Sequence, residues 1–351
     1  MRLLFFGDMH FCEYASIYRK MGQFFSKRLE NLINTQNKIE ATAEEYRCDM
    51  VIGCGDYFDK PELNATEITA LQEIGWSNIP HAFIVGNHEG LLNNLSTSSA
   101  HLFRSIPNFT LYDKPDYIKV DEDTYLLFLP YCLECDRQSL LNTFPFLSDL
   151  LKENKKIIIV SHNDIKGLQY GGFESKDGYD IEDIEQHCTL FINGHLHNGS
   201  KFCNNGYNIG NITGQNFSEN AFKYKHRMML VDTDTMSIEY IENDWALNFY
   251  KFEVFDSRSL HNSMNKIQTN SVVTIKAPED LIPEVKQLLN ENTNIVEHRV
   301  LMIPKVVGDS SEDTTSVELN SINHLEQFIT YIKDTMDMSD LLLSELLEVC
   351  K

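Results

Sequence analysis

Five short stretches of the chain place carboxylates, imidazoles and one amide directly behind apolar runs. In order they are "FFGDMH" with Asp8 and His10, "GCGDYFDK" with Asp56 and Asp59, "IVGNHEG" with Asn87 and His88, "IVSHND" with His162, and "NGHLHN" with His195 and His197. Carboxylate, imidazole and amide oxygen together form the donor set of borderline divalent cations such as manganese, iron or zinc. Two such ions, about 3.5–4 Å apart, activate water and stabilise the leaving oxygen of a phosphoryl displacement. A carboxylate placed between them would bridge the pair. One stretch alone says little, because Asp-x-His arises often by chance and a histidine after a strand is usually a hydrogen-bonded loop residue. Five in series point to one centre. In four of them a glycine immediately precedes the first polar donor, where a missing side chain lets the backbone turn sharply and the donors come close.

Such a centre needs elements that bring distant segments together. "RLLFF", "DMVIGCG", "HAFIVGN", "TYLLFLP", "KKIIIVSH" and "TLFING" each have strand length and end in Gly, Pro or polar residues. Between the first two, Phe25, Leu29, Leu32 and Ile33 recur at helical spacing within the polar stretch Phe24 to Tyr46. Strands interleaved with helices predict an α/β sandwich, and open α/β sheets place their sites at the carboxyl ends of strands. The candidate donors all fall there.

Past residue 245 the pattern changes. "SVVTIKAP", "EDLIPEVKQLLNEN" and "NIVEHRVLMIPK" read as strand, helix and strand, a small βαβ unit over about 270–304. Residues 306–318 form an acidic linker by composition. Residues 319–351 give two short amphipathic helices, with Ile322, Leu325, Phe328, Ile329 and Ile332 on one face. That face either folds back on the body or docks into a partner's groove. The expected division is 1–245 for the main domain, 246–305 for the small one, 306–318 for the linker and 319–351 for the helical segment.

Composition sets limits. The chain has 351 residues with 42% hydrophobic and 23% charged, as in a soluble globular protein. No apolar run reaches the length of a membrane span, and "MRLLFFGDMH" reads as a first strand, not a leader. The expected location is the cytoplasm, of a bacterial cell or an infected host. Cys132 and Cys135 form half of a zinc motif with no second half, so reduced thiols are expected. A net charge of −22 argues against a surface wrapped in nucleic acid. Ten acidic residues against Lys333 and Lys351 put −8 into residues 306–351. "FKYKHR" interleaves Phe222 and Tyr224 with Lys223, Lys225 and Arg227, a weak candidate for contacts to a DNA backbone.

The five-part series resembles the calcineurin-like metallophosphoesterase superfamily, whose pattern is DxH, GDxxD, GNH(D/E), H and GHxH. The resemblance implies a four-layer αββα sandwich and two divalent ions. Asp8, His10, Asp56 and His197 would hold one ion; Asp56, Asn87, His162 and His195 would hold the other, with Asp56 bridging. His88 would stabilise the transition state or give a proton to the leaving oxygen, and Asp59 would orient His88 through a hydrogen bond.

Within that superfamily, protein serine/threonine phosphatases carry arginines that clamp a dianionic monoester. Lys60-Pro61 and Val85 stand there instead, which suits a phosphodiester. "FLPY" at 128–131 and "GNITGQNFSE" at 210–219 resemble segments of the SbcD-type DNA nuclease subunits of the recombination and repair nucleases, although Asn211 to Gly214 replace the usual Gly-Ser turn. That resemblance covers nearly the whole chain, and the compact length looks most like viral or bacterial members. It implies a manganese-dependent 3′–5′ exonuclease on double-stranded DNA with single-strand endonuclease activity. It also implies a small βαβ capping domain, an SbcC-like ABC-type ATPase partner held by 319–351, and a homodimer within a heterotetramer. The alternative is a phosphodiesterase for a small cyclic or dinucleotide substrate; a third reading is a non-enzymatic scaffold.

Overall fold

A computed structural model describes residues 1–13, 22–170, 173–219, 221–222 and 224–303. The helix Lys27–Glu45 follows from its pattern. Ser26 caps it by accepting a hydrogen bond from Leu29 N at 3.2 Å, and Leu29, Leu32, Ile33, Ile39 and Ala43 form its buried face. It begins later than the hydrophobic spacing suggests: Phe24 lies before it and is 77% exposed. The shorter helix Ala65–Gln72 starts at a capping box between Asn64 and Glu67.

Two six-stranded sheets carry the main body. The first runs in the order Ser237–Glu242, Arg227–Asp232, Arg2–Phe6, Met50–Gly53, His81–Ile84, Phe109–Tyr112, and its last four strands are parallel. The second runs Ser200–Lys201, Gly206–Asn208, Leu190–Asn193, Lys156–Ser161, Thr124–Leu129, Asp116–Lys119, with a parallel centre. Alternation along a strand sorts the cores. Leu4 and Phe6 pack toward the helices Lys27–Glu45 and Ala65–Gln72, whereas Leu3 and Phe5 face Phe128, Ile158, Val160 and Ile192 of the second sheet. On that sheet, Leu127, Leu129, Ile157, Ile159 and Phe191 turn outward onto Leu140, Leu147, Leu150 and Ile184 of three short helices. Three cores between four layers make this an αββα sandwich.

A third sheet is parallel throughout, in the order Asn248–Glu253, Ser271–Ala277, Ile295–Met302, with helices Ser257–Met264 and Ile282–Glu291 and a core of its own. The simple βαβ reading is corrected here: the unit is βαβαβ. The added strand "NFYKFE" buries its first three residues and alternates only after them, and Asp256 starts the added helix with a side-chain cap. Phe217 packs edge-on against Phe249 at 5.2 Å, tying this sheet to the loop that follows the second sheet. Met1–Pro304 forms one compact unit. Among the described residues no helix is long and apolar enough to cross a membrane. The helices expected in 319–351, and the linker before them, lie outside the described residues.

Candidate metal centre

All five donor stretches leave the carboxyl ends of parallel strands: Arg2–Phe6, Met50–Gly53 and His81–Ile84 in one sheet, Lys156–Ser161 and Leu190–Asn193 in the other. The strained backbone sits on the donor residues themselves. His10, Asp56 and His195 have φ of 47°, 48° and 73°, a region that costs a non-glycine residue about 1–2 kcal/mol. Of the glycines before the donors, Gly55 makes the expected turn with φ of 92°, whereas Gly194 acts differently. A Cβ on Gly194 would meet Cys54 O at 2.2 Å, His162 Nδ1 at 2.8 Å and Asp8 Oδ1 at 2.9 Å. Close approach, not turning, fixes that residue as glycine.

The donors converge in three overlapping groups: Asp8, His10 and His197; His10, Asp56 and His88; Asp56, His162 and His195. Asp56 belongs to two sides at once. Its Oδ2 lies 3.1 Å from His162 Nε2 and 3.9 Å from His10 Nε2. Asn87 Oδ1 stands 3.1 Å from His162 Nε2 and 3.0 Å from His195 Nδ1. On the opposite side His10 Nε2 and His197 Nε2 face each other at 3.1 Å.

Each of these four histidines turns one ring nitrogen inward and gives the other to a fixed acceptor. His10 Nδ1 is 2.9 Å from Asp59 Oδ1, and His162 Nδ1 is 2.7 Å from the Cys54 carbonyl. His195 Nε2 is 3.3 Å from Asp164 Oδ1, and His197 Nδ1 is 3.3 Å from Glu219 Oε1. The chemistry of those acceptors assigns the proton outward and the lone pair inward, as on metal-ligating histidines. Asp164 and Glu219 have no role in the motif pattern. Asp164 was visible only as the second residue after His162, and Glu219 only as the end of "NFSE". Glu219 is buried; its Oε1 also accepts from Asn211 Nδ2 at 2.9 Å and Gln215 N at 2.8 Å.

Asp59 stands otherwise than expected. Its carboxylate hydrogen-bonds His10, while His88 Nδ1 is 3.6 Å from Oδ1 and donates instead to the Asp59 backbone carbonyl at 3.1 Å. The exposed His88 ring packs edge-on against His10 at 4.7 Å. With Nδ1 so held, Nε2 is the atom it offers outward. Glu89, fully buried, joins two donor loops by accepting from Phe58 N at 3.0 Å and Gly86 N at 2.8 Å. Burial, with Asp56 nearby, pushes its pKa up to about 8.

Charge within the cluster is strongly coupled. Burial alone would lower the His162 pKa, but the carboxylates of Asp56 and Asp8 prevail and lift it to about 10. Burial likewise opposes the His197 imidazolium, and Glu219 and Asp8 outweigh it, so that pKa is raised. Burial would raise Asp56, but His162 holds it well below the usual carboxylate range.

The weak DNA-contact residues fall outside this constellation. Lys225 Nζ is paired with both Glu242 oxygens at 2.9 Å, and Arg227 stacks on the Tyr240 ring with its guanidinium carbon 3.5 Å from the centroid. Both are engaged within the chain, and Lys223 lies outside the described residues. Cys132 and Cys135 are free thiols, with Cys132 Sγ donating to Asn163 Oδ1 at 3.3 Å.

The residues fit divalent cations. Two imidazole nitrogens that face each other at 3.1 Å share either a proton or a cation. Asp8 Oδ2, moreover, is buried without a hydrogen-bond partner. An α/β/β/α sandwich with this centre at its strand ends defines a metal-dependent hydrolase. A family model for calcineurin-like phosphoesterases matches residues 1–199, and the chain belongs to that family. Membership makes it a metal-dependent phosphoester hydrolase of a family that uses paired divalent ions.

Similar solved structures include TT1561 of Thermus thermophilus, at 9% identity over 69% of this chain and 98% of that one, TM-score 0.41. A dimetal phosphatase from Danio rerio follows at 10% identity, covering 66% and 91%, TM-score 0.39. The calcineurin-like phosphoesterase YfkN from Bacillus subtilis shows 12% identity, covering 69% and 88%, TM-score 0.35. No curated protein matches.

Proposed function

We propose that the chain is a phosphodiesterase that cleaves DNA with two divalent ions, manganese first among them. The supporting observation is what replaces the monoester clamp. Val85 is fully buried and apolar, and Lys60 is paired with Glu67 at 3.0 Å. A guanidinium fork for a dianionic phosphate is therefore missing at both positions, and a monoanionic diester needs less.

In this reading Asp8, His10, Asp56 and His197 hold one ion, and Asp56, Asn87, His162 and His195 the other. When bound, such ions supply the Lewis acidity that activates water and neutralises phosphoryl charge. The chain's own groups do the rest. Asp59, the Cys54 carbonyl, Asp164 and Glu219 hold four rings in one tautomer and direction. His88, anchored at Nδ1 by the Asp59 carbonyl, presents Nε2 to the leaving oxygen and gives it a proton. We assign residues 246–305 the capping role over DNA and 319–351 the docking of an SbcC-like ABC-type ATPase, with a homodimer at the centre of that assembly.

A second reading, a small cyclic or dinucleotide substrate, draws support from the engaged state of Lys225 and Arg227. Labelled linear duplex and single-stranded DNA, with manganese, magnesium or zinc, separate the two. We expect manganese-dependent DNA cleavage that His88→Ala abolishes while the protein still binds metal. Turnover of bis-p-nitrophenyl phosphate without any DNA cleavage, with or without the ATPase, would favour the small substrate. No turnover of either would refute both.

A further inference from the structure

Arg28 lies in the first turn of the helix Lys27–Glu45, outside every donor stretch, and is 1% exposed. A guanidinium so placed has given up its hydration. Burial lowers its pKa, while Cys12, Glu219 and Asp59 act in the other direction. Both arms of its fork go to neutral oxygens: Nη1 donates to the Gly214 carbonyl at 2.7 Å, and Nη2 donates to Gln215 Oε1. Its Nε is buried without a hydrogen-bond partner among the described residues. A buried charge rarely stabilises a fold more than an apolar residue of similar volume, so stability alone does not account for an arginine here.

What the fork holds is the segment from Asn211 to Glu219, where Asn211 to Gly214 stand in place of the expected Gly-Ser turn. That segment meets the loops of Asp8, His10 and His197, three donors assigned to one ion. Ile212 N donates to the Asp8 carbonyl at 3.2 Å, and Asn211 N to the His197 carbonyl at 3.2 Å. Gln215 Nε2 donates at 3.1 Å to the carbonyl of Met9, the residue between Asp8 and His10. Gln215 N donates at 2.8 Å to the Glu219 carboxylate, which stands 3.3 Å from His197 Nδ1. The other ion's histidines are supported from different segments, His162 by the Cys54 carbonyl and His195 by Asp164.

Resting on the division of donors between two ions, and not on the identity of the substrate, we propose that Arg28 is a positioning residue whose two-armed fork clamps Gly214 and Gln215 and so sets the spacing of Asp8, His10 and His197 around their ion. A guanidinium suits this task because its donors are fixed in one plane and it stays charged at any working pH.

Calorimetric titration of EDTA-treated protein with manganese tests this, with thermal unfolding in EDTA alongside. The parent binds two ions. Arg28→Gln, which loses the fork, weakens one of the two affinities about tenfold, as loss of a partner behind a ligand does. Asn87→Ala, which removes a donor of the other ion, weakens the other affinity and so tells the two apart. Arg28→Lys keeps the charge without the fork and shows the same tenfold loss. Gln215→Met breaks the relay to Met9 while Arg28 keeps Gly214; it weakens the same affinity and carries the test if Arg28→Gln does not fold. Because both residues act along one path, the double variant of Arg28→Gln with Gln215→Met loses no more than Arg28→Gln alone. Equal weakening of both ions, weakening of neither, additive losses in the double variant, or parent-like affinity in Arg28→Lys would each overturn the proposal. If the parent takes up a single ion, the division of donors is what fails, and the proposal falls with it.

Discussion

Glu219→Gln removes one negative charge from behind His197 and little else. The carboxylate Oε1 stands 3.3 Å from His197 Nδ1 and accepts from Asn211 Nδ2 at 2.9 Å and Gln215 N at 2.8 Å. A glutamine keeps an amide oxygen for those two donors, so the fold is retained. Loss of a carboxylate behind a ligating histidine costs about 10–100-fold in metal affinity. The 3.3 Å separation is longer than a strong charge-assisted hydrogen bond, which argues for the lower end, about tenfold or ~1.4 kcal/mol. That loss should fall on the ion held with Asp8 and His10 and spare the one held by Asn87, His162 and His195. Glu219→Ala does something different, since it orphans two buried donors at about 1–3 kcal/mol each, or roughly 2–6 kcal/mol of stability. Calorimetric titration of EDTA-treated protein with manganese reads the two affinities, and thermal unfolding reads the stability. If Glu219→Gln leaves both affinities unchanged, or weakens both equally, Glu219 does not position His197.

Without metal, the His162 pKa is lifted from 6.5 to about 10, so the stability this provides is complete below pH 6.5 and is lost as pH rises through about 10. A divalent ion must displace that proton, so manganese should raise Tm more at about pH 8.5 than at about pH 6; equal gains would contradict the coupling. Gly194→Ala should abolish metal-dependent stabilisation, because its Cβ would meet Cys54 O at 2.2 Å, whereas Gly75→Ala, with only Asn37 Oδ1 at 3.7 Å, should behave as the parent; circular dichroism and metal titration distinguish them. Binding of a phosphorothioate oligonucleotide, followed by fluorescence anisotropy, should be undetectable in EDTA and appear with manganese.

The donor set was legible because motif and topology coincide. Asp8, Asp56, Asn87, His162 and His195 each follow a strand whose apolar run is visible, and parallel pairing brings three of those strand ends together in the first sheet and two in the second. What supports them was harder to see. Asp164 and Glu219 act through side-chain contacts that carry no fixed spacing, and the Cys54 acceptor is a backbone atom with no residue signature. Asp59 was identified, yet its partner was not, since what decides between His10 at 2.9 Å and His88 at 3.6 Å is a tertiary distance that carries no sequence spacing. Lys225 and Arg227 of "FKYKHR" look free in sequence; their partners Glu242 and Tyr240 arrive on the next antiparallel strand. The strand Asn248–Glu253 buries its first three residues and alternates only after them, so its periodicity was too brief to separate from a loop.

The acidic excess of the chain has its sharpest form at the site. Asp8, Asp56, Asp59, Asp164 and Glu219 all touch or surround four histidines whose lone pairs point inward. Five carboxylates around neutral rings repel a phosphodiester, and burial strengthens that repulsion because little water screens it. Protons on His162 and His197 offset part of it when metal is absent, which is why those pKa values rise. Two divalent ions would supply four positive charges in their place and turn the same pocket toward an anion. Metal binding therefore precedes substrate binding for an electrostatic reason as well as a chemical one.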